Sequence, residues 1–157
     1  MNCSPLEVPT AVWKALIEDL CKRGFGRRES GAFLLGTMEG DVRRVQTWVP
    51  YDELDADALT AGYVCLETAA FSRLWAICAE KGLAVVADMH THPGGPTQSR
   101  SDQANPMISQ AGHFALVVPR FARGRVVPND VSVNVYLGNK QWASYFKRDA
   151  QELIRLI

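Results

Sequence analysis

The stretch LAVVADMHTHPGGPTQSRSD, residues 83–102, joins a strand-like sequence to a polar turn. Residues 83–89 form an apolar run of strand length, which is typical of a strand covered on both faces by other elements. Two prolines and two glycines at 93–96 then reverse the chain. Residues 101–110 predict a short helix. The stretch therefore predicts a buried strand whose end carries a polar site.

The sequence on either side of this stretch alternates between helical and strand-like patterns. The predicted elements are helices at 8–21, 66–81 and 148–157 and strands at 31–36, 42–49, 113–119 and 131–138. The strand at 131–138 is expected to be half exposed, because valines alternate there with other residues. The acidic stretch 50–62 has the least structured composition. This order predicts an α/β fold, a single domain over residues 1–157 with a mixed sheet packed between helices.

The composition limits the class of protein and its partners. Of the 157 residues, 47% are hydrophobic and 22% are charged, which is typical of a globular protein. Seventeen basic residues balance seventeen acidic ones, so neither nucleic acid nor a membrane is expected as a partner. The N-terminus does not resemble a secretion signal, which predicts a cytoplasmic location. Four scattered cysteines, which we expect to be free thiols, are Cys3, Cys21, Cys65 and Cys78.

His90 and His92 are the residues that point most directly to metal chemistry. In extended backbone, residues at i and i+2 lie on one face, so the two imidazoles form a natural pair of zinc ligands. Asp102 offers a third ligand, and three protein ligands leave one zinc position open for water, as in catalytic sites. Taken alone, however, residues 99–102 also fit a helix capping box, and the two histidines also fit a polar surface turn.

Three features occur in order along the chain: Glu29 opens ESGAFLLG, a histidine pair precedes Pro93, and S-x-x-D spans 99–102. This order resembles the signature of the JAMM (MPN+) metalloproteases. The resemblance implies that His90, His92 and Asp102 hold one catalytic Zn²⁺. It also implies that Ser99 stabilises the tetrahedral intermediate and that Glu29 is the general acid/base. The loop from 93 to 98 is one residue shorter than is usual in that family, which leaves Ser101 as an alternative to Ser99.

The resemblance also implies a fold and a substrate. It implies an MPN/JAB1-like domain with a cytidine-deaminase-like architecture, similar to compact prokaryotic members encoded beside ubiquitin-like conjugation enzymes in antiviral systems. The implied activity is a zinc-dependent isopeptidase or peptidase that cuts after the C-terminal tail of a ubiquitin-like protein. The expected partners are that modifier or its conjugates, together with the cognate activating and conjugating enzymes. The segment 48–63 is the expected contact, with acidic residues facing basic ones of the modifier, and a plain solvated loop is the equal alternative for this segment.

Other functions remain open at this point. A zinc hydrolase of small amides or peptides and a non-catalytic scaffold of the same fold are both compatible with the sequence. A nucleotide deaminase is disfavoured because the H-x-E and P-C-x-x-C motifs are missing. Among nearby polar residues, Asp88 is a candidate for orienting a ligand histidine. His113 is expected to be a buried or sheet-face residue rather than a ligand.

Overall fold

A computed structural model describes residues 4–157; Cys3, expected to be a free thiol, lies outside the described residues. The strands are β1 (Leu6–Val8), β2 (Gly31–Glu39), β3 (Val42–Pro50), β4 (Ala84–Thr91), β5 (Phe114–Val118), β6 (Ser132–Gly138), β7 (Gln141–Tyr145) and β8 (Ile154–Leu156). The helices are α1 (Thr10–Arg23), α2 (Tyr51–Leu54), α3 (Thr68–Lys81), α4 (Arg100–Ala104) and α5 (Arg148–Leu153). None of these helices is long and apolar enough to cross a membrane.

The strands form one mixed sheet in the order β7-β6-β5-β4-β2-β3-β1-β8. Strand β4 pairs in parallel with β5 and antiparallel with β2, which places it inside the sheet. The parallel pairings of β1 with β3 and with β8 add a second region of parallel strands. The predicted mixed sheet is thus confirmed, and it carries the stretch 83–91 on an interior strand.

Apolar clusters cover both faces of the sheet. On one face, Trp13, Leu16 and Leu20 of α1 pack against Leu34 and Leu116 of the sheet. On the other face, a second cluster joins α3 and the segment after β3 to β2, and its most buried members are Phe33, Leu35, Tyr51, Ala58, Ala70 and Leu74. Burial on both faces explains why β4 and β5 read as continuous apolar runs. The fold is therefore the expected α/β sheet between helices.

Two segments differ in detail from their predictions. The acidic stretch 50–62 begins with α2, and it buries Tyr51, Leu54, Ala58 and Leu59 in the second cluster. Residues 56–61 are turns, in agreement with the turn-rich composition, and the apolar residues of the stretch anchor it to the sheet. The predicted helix at 8–21 begins instead at Thr10, because Val8 belongs to β1. Glycine ends α3 as predicted, with Gly82 in the left-handed conformation at φ 64°.

The C-terminal prediction is also partly wrong. Residues 148–157 were expected to form one helix, but α5 ends at Leu153 and Ile154–Leu156 form β8 beside β1. The N–H of Ile157 donates to the Val8 carbonyl at 3.0 Å, and the N–H of Thr10 donates to the Ile157 carbonyl at 2.8 Å. The pairing with β1 is a long-range interaction that a helical repeat in the sequence does not reveal.

Strand β6 is buried on both sides rather than half exposed. Ser132 and Asn134 have no exposed surface, whereas the alternation with valine predicts that they face solvent. The loop that follows His92 provides the acceptor for Ser132, and the neighbouring strand β7 provides a hydrogen-bond partner for Asn134. The polar positions of β6 therefore face another part of the protein.

Candidate metal centre

The two histidines meet at the end of β4. The Nε2 atoms of His90 and His92 lie 3.0 Å apart, and both side chains are buried, with 6% and 9% of each residue exposed. The backbone of His92 is held on both sides: its N–H donates to the Val118 carbonyl at 2.9 Å, and its carbonyl accepts from the N–H of Phe121 at 2.8 Å. The end of β5 and the turn after it thus fix the second imidazole.

Asp102 brings a carboxylate to the same point. Its Oδ2 atom lies 3.3 Å from Nε2 of His90 and 3.0 Å from Nε2 of His92. The same oxygen accepts the N–H of Ser99 at 2.8 Å, and Ser99 Oγ accepts the N–H of Asp102 at 3.0 Å. The capping box and the cluster with the histidines therefore coexist, because the first turn of α4 aims the capping carboxylate at the imidazoles.

Glu29 lies beside this group, in the segment between α1 and β2. Its carboxylate and the two imidazoles form a cluster whose ligand atoms are all within 4.8 Å of one another, and this cluster could hold a metal ion. The position of Glu29 is set by its neighbour: the N–H of Ser30 donates to Thr91 Oγ1, and the N–H of Thr91 donates to the Ser30 carbonyl, both at 2.9 Å. This reciprocal pair ties Glu29 to the residue between the two histidines.

The three ionisable side chains influence one another strongly. Burial disfavours the charged form of Asp102, but hydrogen bonds and charges from His90 and His92 outweigh it, and the pKa of this carboxyl lies well below its ordinary value. Burial also disfavours protonated His92, yet its bond to Asp102 and the charge of Glu29 raise its pKa above 6.5. Burial raises the pKa of Glu29 above 4.5, and the neighbouring His92 and His90 offset part of that increase.

The donor set fits a zinc ion. Ligands about 2.0–2.1 Å from a tetrahedral zinc lie roughly 3.3 Å from one another. The three separations among the His90, His92 and Asp102 ligand atoms are 3.0, 3.0 and 3.3 Å. Two imidazole nitrogens and a carboxylate oxygen are also the ligand types that zinc takes in three-ligand sites. These residues, or Glu29 with the two histidines, can therefore surround a single divalent cation.

A buried hydrogen-bond chain holds the loop between His92 and Ser99. Ser132 Oγ donates to the Pro96 carbonyl at 2.5 Å, and Asn134 Nδ2 donates to Ser132 Oγ at 2.9 Å. Asn134 also accepts from Ser144 Oγ at 2.6 Å, which extends the chain to β7. In the sequence, the signal for this support is the alternation of Ser132 and Asn134 with valines, and that alternation by itself predicts that the two residues face solvent.

Asp88 does not orient a ligand histidine. Its Oδ2 lies 2.7 Å from His113 Nε2, and its Oδ1 lies 3.5 Å from the Tyr51 hydroxyl; in residues 4–157 it has no hydrogen bond to His90 or His92. His113 is buried, as expected. The Tyr51 ring occupies the place where a Cβ on Gly31 would lie, so the missing side chain of Gly31 gives the ring its room. Asp88 and His113 thus form a separate buried pair next to the histidine site.

A cleft of about 410 Å³ opens beside His90 and Asp102. Its polar side includes His90, Asp102, Gln98 and Ser101, whereas Ser99 is not among the described residues that line it. Its apolar lining residues include Tyr63, Val64, Leu66, Phe71, Met107 and Trp142. Cys65 also lines this cleft and is exposed; Cys21, Cys65 and Cys78 are free thiols, as predicted.

Comparison with known proteins identifies the class that the fold and site define. Residues 9–135 match the family model described as prokaryotic homologs of the JAB domain. The chain belongs to this family.

Two solved structures share the fold at low sequence identity. One is the solution structure of a protein from Desulfitobacterium hafniense, with a TM-score of 0.67, 15% identity, and coverage of 97% of this chain and 92% of that one. The other is the solution structure of a protein from Salinibacter ruber, with a TM-score of 0.63, 16% identity, and coverage of 95% and 90%.

Proposed function

We propose that this protein is a zinc-dependent peptidase or isopeptidase that cleaves after the C-terminal tail of a ubiquitin-like protein. The observation that carries the proposal is the convergence of His90, His92 and Asp102 ligand atoms within 3.3 Å of one another, with the Glu29 carboxylate beside them. Membership in the JAB family supports a hydrolase, and the resemblance to the JAMM signature supports the ubiquitin-like substrate.

His90, His92 and Asp102 would hold the metal, because their ligand atoms have the spacing of a shared coordination sphere. A zinc ion in such a set supplies a Lewis acid and allows water to ionise near neutral pH. The pairing of Asp102 Oδ2 with the N–H of Ser99 fixes the carboxylate, so that the helix start supports the ligand set.

Glu29 would act as the proton carrier. Its carboxylate takes the proton from the attacking water and gives it to the leaving nitrogen, as a general base and then a general acid. Half-burial raises the pKa of this carboxyl, which makes it a better proton acceptor than an exposed glutamate. Its position two residues before β2 and the link of Ser30 to Thr91 place it near the imidazoles.

A hydroxyl on α4 would donate to the oxyanion that forms at the scissile carbonyl. Ser99 Oγ accepts the capping bond from the N–H of Asp102, and its own proton remains available for donation. Ser101 is the competitor, because it lines the cleft. The shorter loop between His92 and Ser99 makes the choice between these two serines a matter for experiment.

The proposal is tested with protein purified without chelators. We expect about one zinc per chain, cleavage of a fusion of a ubiquitin-like protein to a reporter at the modifier's C-terminus, and loss of cleavage on chelation that added zinc restores. If short peptides are cleaved faster than the fusion, the substrate is a small peptide and not a ubiquitin-like protein. Bound zinc with no hydrolysis of either substrate would indicate a scaffold.

A further inference from the structure

A basic surface with one exposed aromatic ring lies just beyond the C-terminal end of α1. Phe25 is 66% exposed, and the guanidinium carbons of Arg28 and Arg27 lie 4.9 and 6.0 Å from the centre of its ring. Arg123 comes to the same place from the turn after β5, since a Cβ on Gly26 would lie 3.4 Å from Arg123 Cδ. We call Phe25, Arg27, Arg28 and Arg123 the basic patch.

The arginines of the basic patch have no carboxylate partner. Within residues 4–157, Arg27, Arg28 and Arg123 form no ion pair. Arg23, in the last turn of α1, differs because it pairs with three carboxylates, those of Asp19, Asp52 and Glu53. The chain as a whole has a formal net charge of zero, so the excess of positive charge is local. An exposed cluster of unpaired like charges favours an anionic partner.

The turn that presents Arg123 is fixed to the candidate metal centre. Its residues Arg120–Ala122 have φ values of 57°, 52° and 60°, a conformation that residues with side chains rarely adopt. The surrounding structure has to hold such strained backbone in place. Here the N–H of Phe121 donates to the His92 carbonyl at 2.8 Å, and Glu29 directly follows the other segment of the patch. A protein chain bound at the metal centre can therefore extend over the basic patch.

An acidic protein segment fits this surface better than a nucleic acid does. The carbonyl of Arg23 accepts a hydrogen bond from Arg28 at 3.3 Å, so the carboxylates around Arg23 lie beside the patch. A long polyanion would meet those carboxylates, and nucleic-acid binding depends on neutralising many phosphates. A few Asp or Glu residues with one apolar side chain, in contrast, match three guanidinium groups and one ring.

We propose that the basic patch docks an acidic segment of the protein substrate. Carboxylates of that segment pair with Arg27, Arg28 and Arg123, and an apolar side chain packs on the Phe25 ring. The inference rests on the proposed peptidase function, and it adds a docking surface outside the cleft and the metal ligands. Because the patch does not touch the reacting bond, docking should lower KM and leave kcat unchanged.

Fluorescence anisotropy measures docking separately from hydrolysis. The probe is a labelled peptide of about twelve residues that contains Asp, Glu and Ser with a central Leu. One reference is the same peptide with Asn and Gln in place of the acids, and the other is an oligothymidylate of the same length. We expect the acidic peptide to bind about tenfold more tightly than the neutral one, the effect of three exposed charge pairs, and more tightly than the oligonucleotide. Its affinity should fall as salt rises from about 50 to 300 mM.

Arg123→Glu tests the charges of the patch. The acidic peptide should bind this variant about three- to tenfold more weakly, because an attraction becomes a repulsion. Lys140→Glu, the same change of charge in the turn between β6 and β7, should leave the affinity unchanged. In the cleavage assay, a ubiquitin-like fusion whose reporter carries the acidic segment should have a lower KM than one with the neutral segment, and Arg123→Glu should abolish this difference.

Phe25→Gly separates docking from a structural role of the ring. Phe25 has φ 55°, a conformation that favours glycine, so the melting temperature should stay unchanged or rise. The acidic peptide should bind about fivefold more weakly, since its leucine loses the apolar surface of the ring. Leu137→Ser, at a similarly exposed position at the end of β6, should not alter binding.

Several results would overturn the inference. They are equal binding of the acidic and neutral peptides, tighter binding of the oligonucleotide, unchanged affinity in Arg123→Glu, and a lower melting temperature of Phe25→Gly with unchanged binding. Docking of the acidic peptide without cleavage of any fusion would count against the peptidase function while supporting the patch as a docking surface. Cleavage of the fusions without docking would support the peptidase and remove the patch.

Discussion

Ser132 Oγ donates a hydrogen bond to the Pro96 carbonyl at 2.5 Å, which ties strand β6 to the loop between His92 and Ser99. Asn134 supports the same hydroxyl from within β6, and both residues are fully buried. The loop that carries the S-x-x-D segment is therefore fastened to the sheet at its midpoint. Because α4, which carries Asp102 in its first turn, begins where this loop ends, the fastening helps to position Asp102 relative to the histidines.

Ser132→Ala should weaken metal binding without removing a ligand. Loss of the hydroxyl leaves the Pro96 carbonyl without this partner, and we expect a stability loss of about 1–2 kcal/mol. Zinc affinity should fall by about tenfold, the lower end of the effect seen for residues that support ligands. Competition with a chromophoric chelator measures the affinity, and Ser109→Ala at an exposed position is the control. An unchanged zinc affinity would mean that the loop holds its position without β6.

Glu29→Gln should retain zinc and lose hydrolysis. The amide has nearly the same shape as the carboxylate but cannot accept the proton from water, so kcat should fall by about 10²–10⁴. Metal content by mass spectrometry and turnover of a ubiquitin-like fusion are measured on the same sample. Glu39→Gln, which changes an exposed glutamate at the end of β2, should leave both unchanged. Undiminished hydrolysis in Glu29→Gln would remove Glu29 from the mechanism.

Ser99 and Ser101 are distinguished by single substitutions. Ser99→Gly removes the hydroxyl while costing the helix start only a few tenths of a kcal/mol, because glycine is an acceptable N-cap residue. If Ser99 is the donor to the oxyanion, kcat should fall by about 10²–10³ with zinc retained, and Ser101→Ala should have little effect. The reverse result would assign the role to Ser101, which lines the cleft.

The stability of the metal-free and the metal-loaded protein should depend on pH in opposite ways. The pKa of His92 is raised, so its pair with Asp102 stabilises the metal-free fold fully below pH 6.5, and this contribution disappears as the pH rises through the raised pKa. The pKa of Asp102 is lowered, so its contribution is present above pH 3.8 and is lost as the pH falls towards the lowered value.

Metal binding needs unprotonated His92, so zinc stabilisation should grow with rising pH over the range in which His92 loses its proton. Melting temperatures measured from pH 5 to 8, with chelator and with zinc, check both slopes. Parallel curves would mean that zinc does not compete with the proton on His92.

Gly31→Ala should destabilise the fold beside the site. An added Cβ would overlap the Tyr51 ring, which contacts Asp88 through its hydroxyl, and overpacking of this kind costs about 1–3 kcal/mol. Chemical denaturation measures the loss. Gly94→Ala is the matched control, because a Cβ there meets no atom within 4 Å. Equal stability of the two variants would show that Tyr51 can move without cost.

Much of the fold could be predicted because its signals are local. Apolar runs at 83–89 and 113–119 identified two interior strands, and Gly82 marked the end of α3. The C-terminal failure occurred where pairing is distant in sequence, because β8 forms beside β1. Strand β7, which forms a hairpin with β6, was missed because it is short. A strand of three to five residues has too few side chains to reveal its neighbours.

The sequence by itself determined that His90 and His92 share a direction and that Ser99 and Asp102 begin a helix, because both relations act over two or three residues. Only the tertiary structure decided that Asp102 Oδ2 reaches both imidazoles and that β6 turns its polar face to the loop. Alternation in a sequence says that the two faces of a strand differ, but what covers each face depends on segments brought together by folding.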